Sequence, residues 1–276
     1  MAKILQLLAE THYENFPVGS FLLPKEFRTP IRLVYAFARV ADDIADEGSD
    51  TKESRLQRLD EWEGEFRRAL AGDTGISFFQ ELAEAVEKYA IPPSLFFDLI
   101  AAFRMDASGR DYGTFDDLLY YCRHSANPVG RILLHIFNCA NDETNRLSDA
   151  ICTALQLANF WQDLSIDIKR NRVYIPHEDF QRFGLTADDL KSGRGTDAIQ
   201  SLLKYQVERT KKLFLDGRPL FRLIDKRFAL ELRLTYHGGE RIVKKVEHLG
   251  GDALHHRPVL SSYDWALIAI RSLLVR

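Results

Sequence analysis

The sequence predicts an all-α fold, and three observations lead to this prediction. Between residues 53 and 70, five apolar residues recur at the helical spacings of three and four: Leu56, Leu59, Trp62, Phe66 and Leu70. No proline interrupts residues 31–91, 129–175 or 177–218, which leaves room for long helices. The sequence also lacks sustained β alternation and Asn-Gly hairpin turns.

The first helices can be placed in chain order. The stripe over residues 53–70 predicts a helix that ends at Ala71-Gly72, because glycine favours a helix C-terminus. The helical pattern resumes from Phe79 to Tyr89. Pro92-Pro93 then breaks the chain, and another helix is expected from Leu95 onward.

The later helices follow from capping residues and from long apolar periods. Thr114 precedes two acidic residues and an apolar run, which predicts an N-capped helix. Asn127-Pro128 predicts the start of the next one, since proline is favoured in the first helical turn. Residues 148–168 and 198–249 are helical in pattern, whereas residues 181–195 are predicted to be a loop.

Composition describes an ordinary globular chain, with 46% hydrophobic and 28% charged residues. The formal net charge of −3 provides no overall basic field, so we expect no nucleic-acid partner. The three cysteines form no CxxC pair and are interpreted as buried apolar residues in a reducing compartment. Without a bilayer-length apolar run or a secretion-signal pattern, we expect a cytoplasmic protein, and peripheral contact with the inner face of the membrane stays open.

One group of acidic residues, Asp42, Asp43 and Asp46, lies in an otherwise apolar stretch. Positions 42 and 46 lie one helical turn apart on the same face, where two carboxylates repel each other unless a cation lies between them. The surrounding residues are small or apolar: Phe37, Ala38, Val40, Ala41, Ile44 and Ala45. A solvated acidic helix face is the alternative interpretation, but these neighbours favour a helix that is otherwise buried.

A second polar stripe runs along an apolar helix, at spacings of three, four and four: Gln156, Asn159, Asp163 and Asp167. This pattern is the inverse of an amphipathic surface helix. Carboxylate and amide oxygens suit Mg²⁺, which prefers oxygen ligands and retains positions for water and substrate phosphate. Two such helices facing each other would form an acidic cavity that holds several Mg²⁺ ions.

Basic residues that could hold a diphosphate lie next to both acidic groups. Arg39 precedes Asp42 by three residues on the same face, and Arg172 follows Asp167. Tyr174 lies two residues further on and offers a hydroxyl group. The planar guanidinium of arginine suits phosphate oxygens. Lys169 to Arg172 are also consistent with basic residues that end a helix and interact with its dipole.

These residues resemble the squalene/phytoene synthase family. The resemblance rests on Arg39 with the first aspartate group, and on Asn159, Asp163 and Asp167 followed by residues 172–176, Arg-Val-Tyr-Ile-Pro. It spans about residues 12–247 and is supported by residues 106–112 and 121–130. It implies a single-domain isoprenoid synthase helical fold over residues 1–276, with a central cavity.

Within the family, residues 12–18, 22–24 and 124–130 resemble the branch of bacterial hydroxysqualene synthases in hopanoid biosynthesis. By that resemblance the substrate is presqualene diphosphate, and other squalene-pathway enzymes are candidate partners. Members that condense two prenyl diphosphates usually have Arg-Asp where this chain has Gln162-Asp163, and Glu-Asp where it has Ile166-Asp167. We interpret this loss of charge as typical of an enzyme that handles one diphosphate.

The resemblance also implies roles for individual residues. Asp42, Asp46, Asn159, Asp163 and Asp167 are expected to hold Mg²⁺, with Asp43 as a secondary contributor. Arg39, Gln156, Arg172 and Tyr174 are expected to bind substrate. Five aromatic residues are candidates for an apolar pocket wall, with core packing as the alternative for each: Phe16, Phe21, Tyr35, Phe37 and Trp161.

Two other functions stay open from the sequence. The nearest alternative is a squalene or phytoene synthase of the same family that condenses two prenyl diphosphates, and product analysis would separate the two activities. A non-catalytic helical subunit is less consistent with four intact aspartate positions. His255, His256 and Arg257 are interpreted as solvated or capping residues, because adjacent residues on a regular element point in different directions.

Overall fold

The computed structural model describes residues 24–46, 50–73, 75–109, 111–192 and 196–274, and within these ranges all regular structure is helical. The α-helices are, in chain order, α1 Lys25–Asp46, α2 Lys52–Leu70, α3 Ser77–Lys88, α4 Ser94–Ser108, α5 Phe115–Ser125, α6 Asn127–Ile136, α7 Asp142–Gln162, α8 Leu164–Asp167, α9 His177–Arg182, α10 Ala187–Lys191, α11 Asp197–Gly217, α12 Lys226–Leu249 and α13 Ser262–Leu274. Short 3₁₀ helices cover Ile168–Arg170, Arg218–Arg222 and Gly250–Leu254. The predicted all-α fold is confirmed.

The described residues form two compact units. The first contains the described residues up to 109 together with Arg123–Asn145, and the second contains Asp111–Cys122 together with residues 146–274. Helix α5 therefore belongs to the second unit up to Cys122, and α7 belongs to it from Arg146 onward. That residues 1–276 form a single domain stays a prediction.

Local capping explains where the predicted helices begin and end. The side chain of Thr51 accepts a hydrogen bond from the Ser54 amide at the start of α2, and Gly72 after its end has a left-handed φ of +89°. At α5 the Asp117 amide donates to the Thr114 hydroxyl at 3.2 Å, and the Thr114 amide donates to the Asp117 carboxylate at 2.9 Å.

The prediction of a loop over residues 181–195 is wrong in its middle part. Helix α10 forms there because the Asp189 carboxylate accepts a hydrogen bond from the Thr186 amide at 2.7 Å, and the Thr186 side chain caps the helix in return. The T-x-x-D pattern was visible in the sequence, but its five-residue helix is too short to show apolar periodicity.

Aromatic rings form the centre of the first unit. Phe37 on α1 lies 5.2 Å from both Phe66 on α2 and Phe96 on α4, measured between ring centroids, and all three side chains are fully buried. Trp62 extends this cluster to Phe79 at 4.6 Å. Because aromatic pairs bury large areas and prefer such tilted geometries, the cluster fixes α1 against its neighbours.

The core of the second unit includes polar contacts between long helices. Trp161 on α7 is buried and donates its indole N–H to the Thr210 hydroxyl on α11 at 2.9 Å. Tyr236 on α12 donates its hydroxyl to the Phe214 carbonyl at 3.0 Å. Burial raises the pKa of the Cys122 thiol to about 12, so this cysteine remains a neutral buried residue, as predicted. Cys139 and Cys152 are only half-buried, so the prediction that all three cysteines are buried is wrong for these two.

In the described part of the chain, no helix has both the length and the apolar character required to cross a bilayer.

A close approach of α11 to α7 depends on Gly217. A Cβ atom there would lie 2.8 Å from the Leu147 carbonyl oxygen and would also overlap the Ile151 side chain. Gly217→Ala is therefore expected to lower the free energy of unfolding by about 1–3 kcal/mol, through overpacking that the backbone cannot relieve. Urea denaturation followed by circular dichroism measures this change.

Gly64 on α2 provides the matched control, because a Cβ atom there would meet nothing within 4 Å. Gly64→Ala is expected to raise the free energy of unfolding by about 0.5–1 kcal/mol through helix propensity alone. Equal effects of the two substitutions would contradict the proposed contact between α7 and α11.

Candidate active site

The first acidic group occupies the last turns of α1. Asp42 and Asp46 lie one turn apart on a continuous helix, and both are half-buried. Ala41, which precedes them, is buried, as are Ile44 and Ala45 between them. Of the six neighbours that predicted this setting, Phe37, Ala41, Ile44 and Ala45 are buried, whereas Ala38 and Val40 are half-buried. Two carboxylates this close favour a cation nearby.

Arg39 supplies such a cation from the same helix. Its guanidinium contacts the Asp42 carboxylate at 3.2 Å and the Asp43 carboxylate at 2.6 Å, and it is largely shielded from solvent. Arg55 of α2 donates a hydrogen bond to the Ala45 carbonyl at 2.7 Å and so anchors the end of α1. The first group is therefore a fixed arrangement of one arginine and neighbouring carboxylates.

The second acidic group spans a break between two helices. Helix α7 ends at Gln162, and Asp163 has φ −93° and ψ 6° before α8 begins. The prediction of one uninterrupted helix over residues 148–168 is therefore wrong at this residue. Even so, the Asp163 amide donates to the Asn159 carbonyl, and the Asp167 amide to the Asp163 carbonyl, each at 2.9 Å.

These two hydrogen bonds keep the helical spacing, so the predicted polar stripe survives the break. Its members are all half-buried: Gln156, Asn159, Asp163 and Asp167. The residues between them are mostly buried, including Phe160 and Trp161. Ile166 is exposed although it is apolar.

Arg257 forms an ion pair with Asp163 that no spacing in the sequence indicated. Its Nε atom lies 2.5 Å from the Asp163 carboxylate, although the two residues are 94 positions apart in sequence. The next residue, Pro258, accepts a hydrogen bond from the Gln162 side chain at 2.8 Å, and Gln162 is only 2% exposed. Gln162 thus anchors the segment that brings Arg257 to Asp163. Arg257 is exposed, as the solvated interpretation expected, but it also pairs with Asp163.

Tyr174 lies in an aromatic cluster of the second unit. It stacks on Phe160 with ring centroids 3.8 Å apart and an angle of 11°, and it lies 5.9 Å from Tyr112 and 6.5 Å from Tyr121. The segment that follows is tied down where the His177 amide donates to the Tyr112 carbonyl at 2.9 Å. This cluster gives the region of Asn159 and Asp163 an apolar border.

A buried ion pair holds α9, and with it the segment that carries Arg172 and Tyr174. Asp179 is buried, pairs with Arg209 on α11, and accepts a hydrogen bond from Gln206 at 2.9 Å. A buried carboxylate needs such partners, so α9 has a single favourable position on α11.

The predicted wall residues have different outcomes. Phe37 and Trp161 belong to the cores described above, as the alternative of core packing anticipated, and Tyr35 is half-buried on α1. Phe16 and Phe21 lie outside the described residues. Lys169 and Arg170 are exposed at the end of the 3₁₀ turn, whereas Arg172 is half-buried.

Mg²⁺ fits the donors that are present. Across the described ranges, no three His, Cys, Asp or Glu side chains gather into a cluster that could hold a metal ion by themselves. A Mg²⁺ site formed by one or two carboxylates together with water and substrate phosphate stays a prediction. The fitting donors are Asp42 and Asp46 in the first unit, and Asn159, Asp163 and Asp167 in the second.

Comparison with known proteins identifies the class to which this fold and these residues belong. The sequence profile of the family named "Squalene/phytoene synthase" matches residues 9–264. The chain therefore belongs to the squalene/phytoene synthase family, which comprises isoprenoid synthases that act on isoprenoid diphosphates.

The chain is similar to several individual members of this family. The chain is 34% identical to the hydroxysqualene synthase of Rhodopseudomonas palustris, over 89% of this chain and 84% of that protein. It is 30% identical to the phytoene synthase of Mycobacterium bovis, over 82% of this chain and 75% of the relative. The crystal structure of the squalene synthase HpnC from Alicyclobacillus acidocaldarius matches with 41% identity and a TM-score of 0.84, covering 90% and 93% of the two chains.

The hydrogen bond from Gln162 to Pro258 and the ion pair of Arg257 with Asp163 are expected to contribute differently to stability. Gln162→Met removes a buried hydrogen bond at similar volume and is expected to lower the free energy of unfolding by about 1 kcal/mol. Arg257→Gln breaks a partly exposed ion pair and is expected to change it by less than about 1 kcal/mol. Urea denaturation of both variants measures the difference, and a larger loss for Arg257→Gln would contradict the assignment of Gln162 as the anchor.

Proposed function

We propose that this chain is a hydroxysqualene synthase, which converts presqualene diphosphate and water to hydroxysqualene and diphosphate. The observation that carries the proposal is the setting of Asp163. Position 162 is a buried glutamine bonded to the Pro258 carbonyl, and position 166 is an exposed isoleucine, where condensing members of the family usually carry charge. The similarity to the hydroxysqualene synthase of Rhodopseudomonas palustris supports the same activity.

In the proposed enzyme, Asp42, Asp46, Asn159, Asp163 and Asp167 would hold Mg²⁺, with Asp43 as a secondary contributor. Bound Mg²⁺ supplies positive charge that stabilises the departing diphosphate. These oxygens suit the ion because they are hard donors that leave room for phosphate oxygens.

The side chains of the protein bind and orient the diphosphate. Arg39 is already fixed by Asp42 and Asp43, so its guanidinium needs little reorganisation to add positive charge beside the substrate. In the second unit, Arg257 is held beside Asp163 and would likewise add positive charge beside the diphosphate. It supplies a cation next to position 162, where this chain has a neutral glutamine. Arg172 and Tyr174 donate further hydrogen bonds.

The reaction is redox-neutral. The carbon–oxygen bond to the diphosphate breaks, and diphosphate leaves with the electron pair. The cyclopropylcarbinyl cation rearranges, and a water oxygen forms the new carbon–oxygen bond and releases its proton. The stacked rings of Tyr174 and Phe160 provide an apolar border that limits bulk water and can face positive charge.

The alternative is a squalene or phytoene synthase that condenses two prenyl diphosphates. The similarity to a phytoene synthase and to a squalene synthase structure favours this second activity. It requires two diphosphates to be held in one reaction sequence, and the condensing members usually carry one cation and one anion where this chain has the neutral Gln162 and Ile166.

Product analysis separates the two activities. Purified protein is incubated with Mg²⁺ and presqualene diphosphate, with and without a nicotinamide reductant. Parallel incubations contain farnesyl diphosphate or geranylgeranyl diphosphate. We expect hydroxysqualene from presqualene diphosphate in both reductant arms, identified by mass spectrometry through its added hydroxyl. Efficient formation of presqualene diphosphate, squalene or phytoene from simple prenyl diphosphates would overturn the proposal.

Asp46→Ala and Asp163→Ala test the metal assignment. Each is expected to lower kcat by about 100-fold or more, because it removes a carboxylate that holds charge at the leaving group. Asp188→Ala is the control, since Asp188 is a highly exposed acid on α10 and should leave kcat unchanged. Turnover near that of the wild type in both site variants would refute the assignment.

A further inference from the structure

Helix α13 buries polar residues and exposes apolar ones, the reverse of an ordinary amphipathic surface helix. Asp264, Ile268 and Ser272, spaced by one turn each, face the protein and are buried. The opposite face carries exposed apolar residues: Tyr263, Ala266, Ala269, Ile270, Leu273 and Leu274. Leu273 is 70% exposed and Leu274 is 75% exposed, so this face is not a margin of the core.

Asp264 fixes the helix in this orientation. Its carboxylate pairs with Arg241 at 2.5 Å and Lys245 at 2.6 Å on α12, and it accepts a hydrogen bond from the Ser261 amide at 2.7 Å. Burial alone would raise the pKa of Asp264, but the hydrogen bonds from Lys245, Ser261 and Arg241 hold it well below its usual range. Turning the apolar face inward would break these contacts, so the structure holds that face toward solvent.

Such a surface is expected to have a partner. Burying a leucine or isoleucine side chain is worth about 1.5–3 kcal/mol, and contiguous apolar patches mark contacts with proteins or membranes. Within residues 262–274, Arg271 is the exposed charged residue, since the other charged side chain, Asp264, is buried.

The charge next to this face matches a phosphate-bearing lipid surface. Arg271 lines a cleft between α12 and α13, which Arg241 also lines. Arg241 is paired with the buried Asp264, so the exposed cation beside this face is Arg271. Tyr263 and Trp265 lie at one end of α13, and both residue types are favoured where a protein meets the boundary between headgroups and acyl chains. Apolar residues with cations at their margin are typical of helices that lie in a membrane interface.

We propose that the exposed face of α13 docks onto an anionic lipid bilayer, with its apolar residues at the acyl boundary and Arg271 at the lipid phosphates. This inference rests on the proposed function in one respect, since a long isoprenoid substrate and its product both partition into bilayers. A second copy of the chain on the same face is the competing occupant.

Vesicle flotation of the full chain tests the proposal. The vesicles are phosphatidylcholine alone, or equal parts of phosphatidylcholine and phosphatidylglycerol. We expect the wild type to float with the mixed vesicles, and Ile270→Ser combined with Leu273→Ser to weaken binding by about 10-fold or more. Arg271→Gln is expected to weaken binding to mixed vesicles and to leave the weaker binding to phosphatidylcholine unchanged.

Leu215→Ser is the matched control, because Leu215 is a leucine on α11 that is 59% exposed and lies outside α13. It should float as the wild type does. All the substituted residues are exposed, so the thermal unfolding midpoints of the variants should equal that of the wild type.

Three results would overturn the proposal: a wild type that floats with neither vesicle, a double variant that floats as well as the wild type, or a control that loses binding equally. A wild-type dimer in light scattering that the double variant converts to a monomer, without vesicle binding, would identify a second copy as the occupant.

Activity in detergent micelles separates this inference from the proposed function. The double variant is expected to equal the wild type there, because micelles deliver the substrate without a bilayer. A wild type that floats but makes no hydroxysqualene in micelles would refute the proposed function and still support the docking surface.

Discussion

Carboxylates that are partly or fully withdrawn from water determine much of this structure, because each of them requires a cation placed within a few ångströms. Asp43 has Arg39, Asp163 has Arg257, Asp179 has Arg209, and Asp264 has Arg241 with Lys245. The first of these pairs lies within one helix. The other three join distant parts of the second unit, so the requirement for a partner fixes how its segments pack.

The candidate site shows how such pairing prepares a protein for an anionic substrate. Arg39 is held beside Asp42 and Asp43, and Arg257 is held beside Asp163 with the help of a hydrogen bond from Gln162 to the next residue. Each arginine is positioned by the carboxylates that are expected to hold Mg²⁺. Preorganised charge of this kind stabilises a departing diphosphate without large rearrangement, which is what an ionisation reaction requires.

The same requirement accounts for the unusual surface of α13. The buried Asp264 holds the helix with its polar stripe inward, and Ile270, Leu273 and Leu274 consequently face outward. If stability alone mattered, these three apolar side chains would be expected in the protein core. The buried ion pair on one side of the helix thus supports the proposed docking surface on the other side.

The all-α fold, the first acidic group and the polar stripe of the second group could be predicted from the sequence, because each of them depends on residue spacings within a single helix. The sequence also indicated the family, since those spacings recur in it. The remaining features depend on tertiary contacts.

Arg257 pairs with Asp163 although the two residues are 94 positions apart, and the orientation of α13, with Asp264 toward the protein, depends on cations of α12. The break at Asp163 and the short helix α10 also went unpredicted, because a local change of φ and ψ and a five-residue helix leave no periodic signal. Contacts between segments that are distant in sequence produce no periodic pattern of residues, because the atoms come together only when the chain folds.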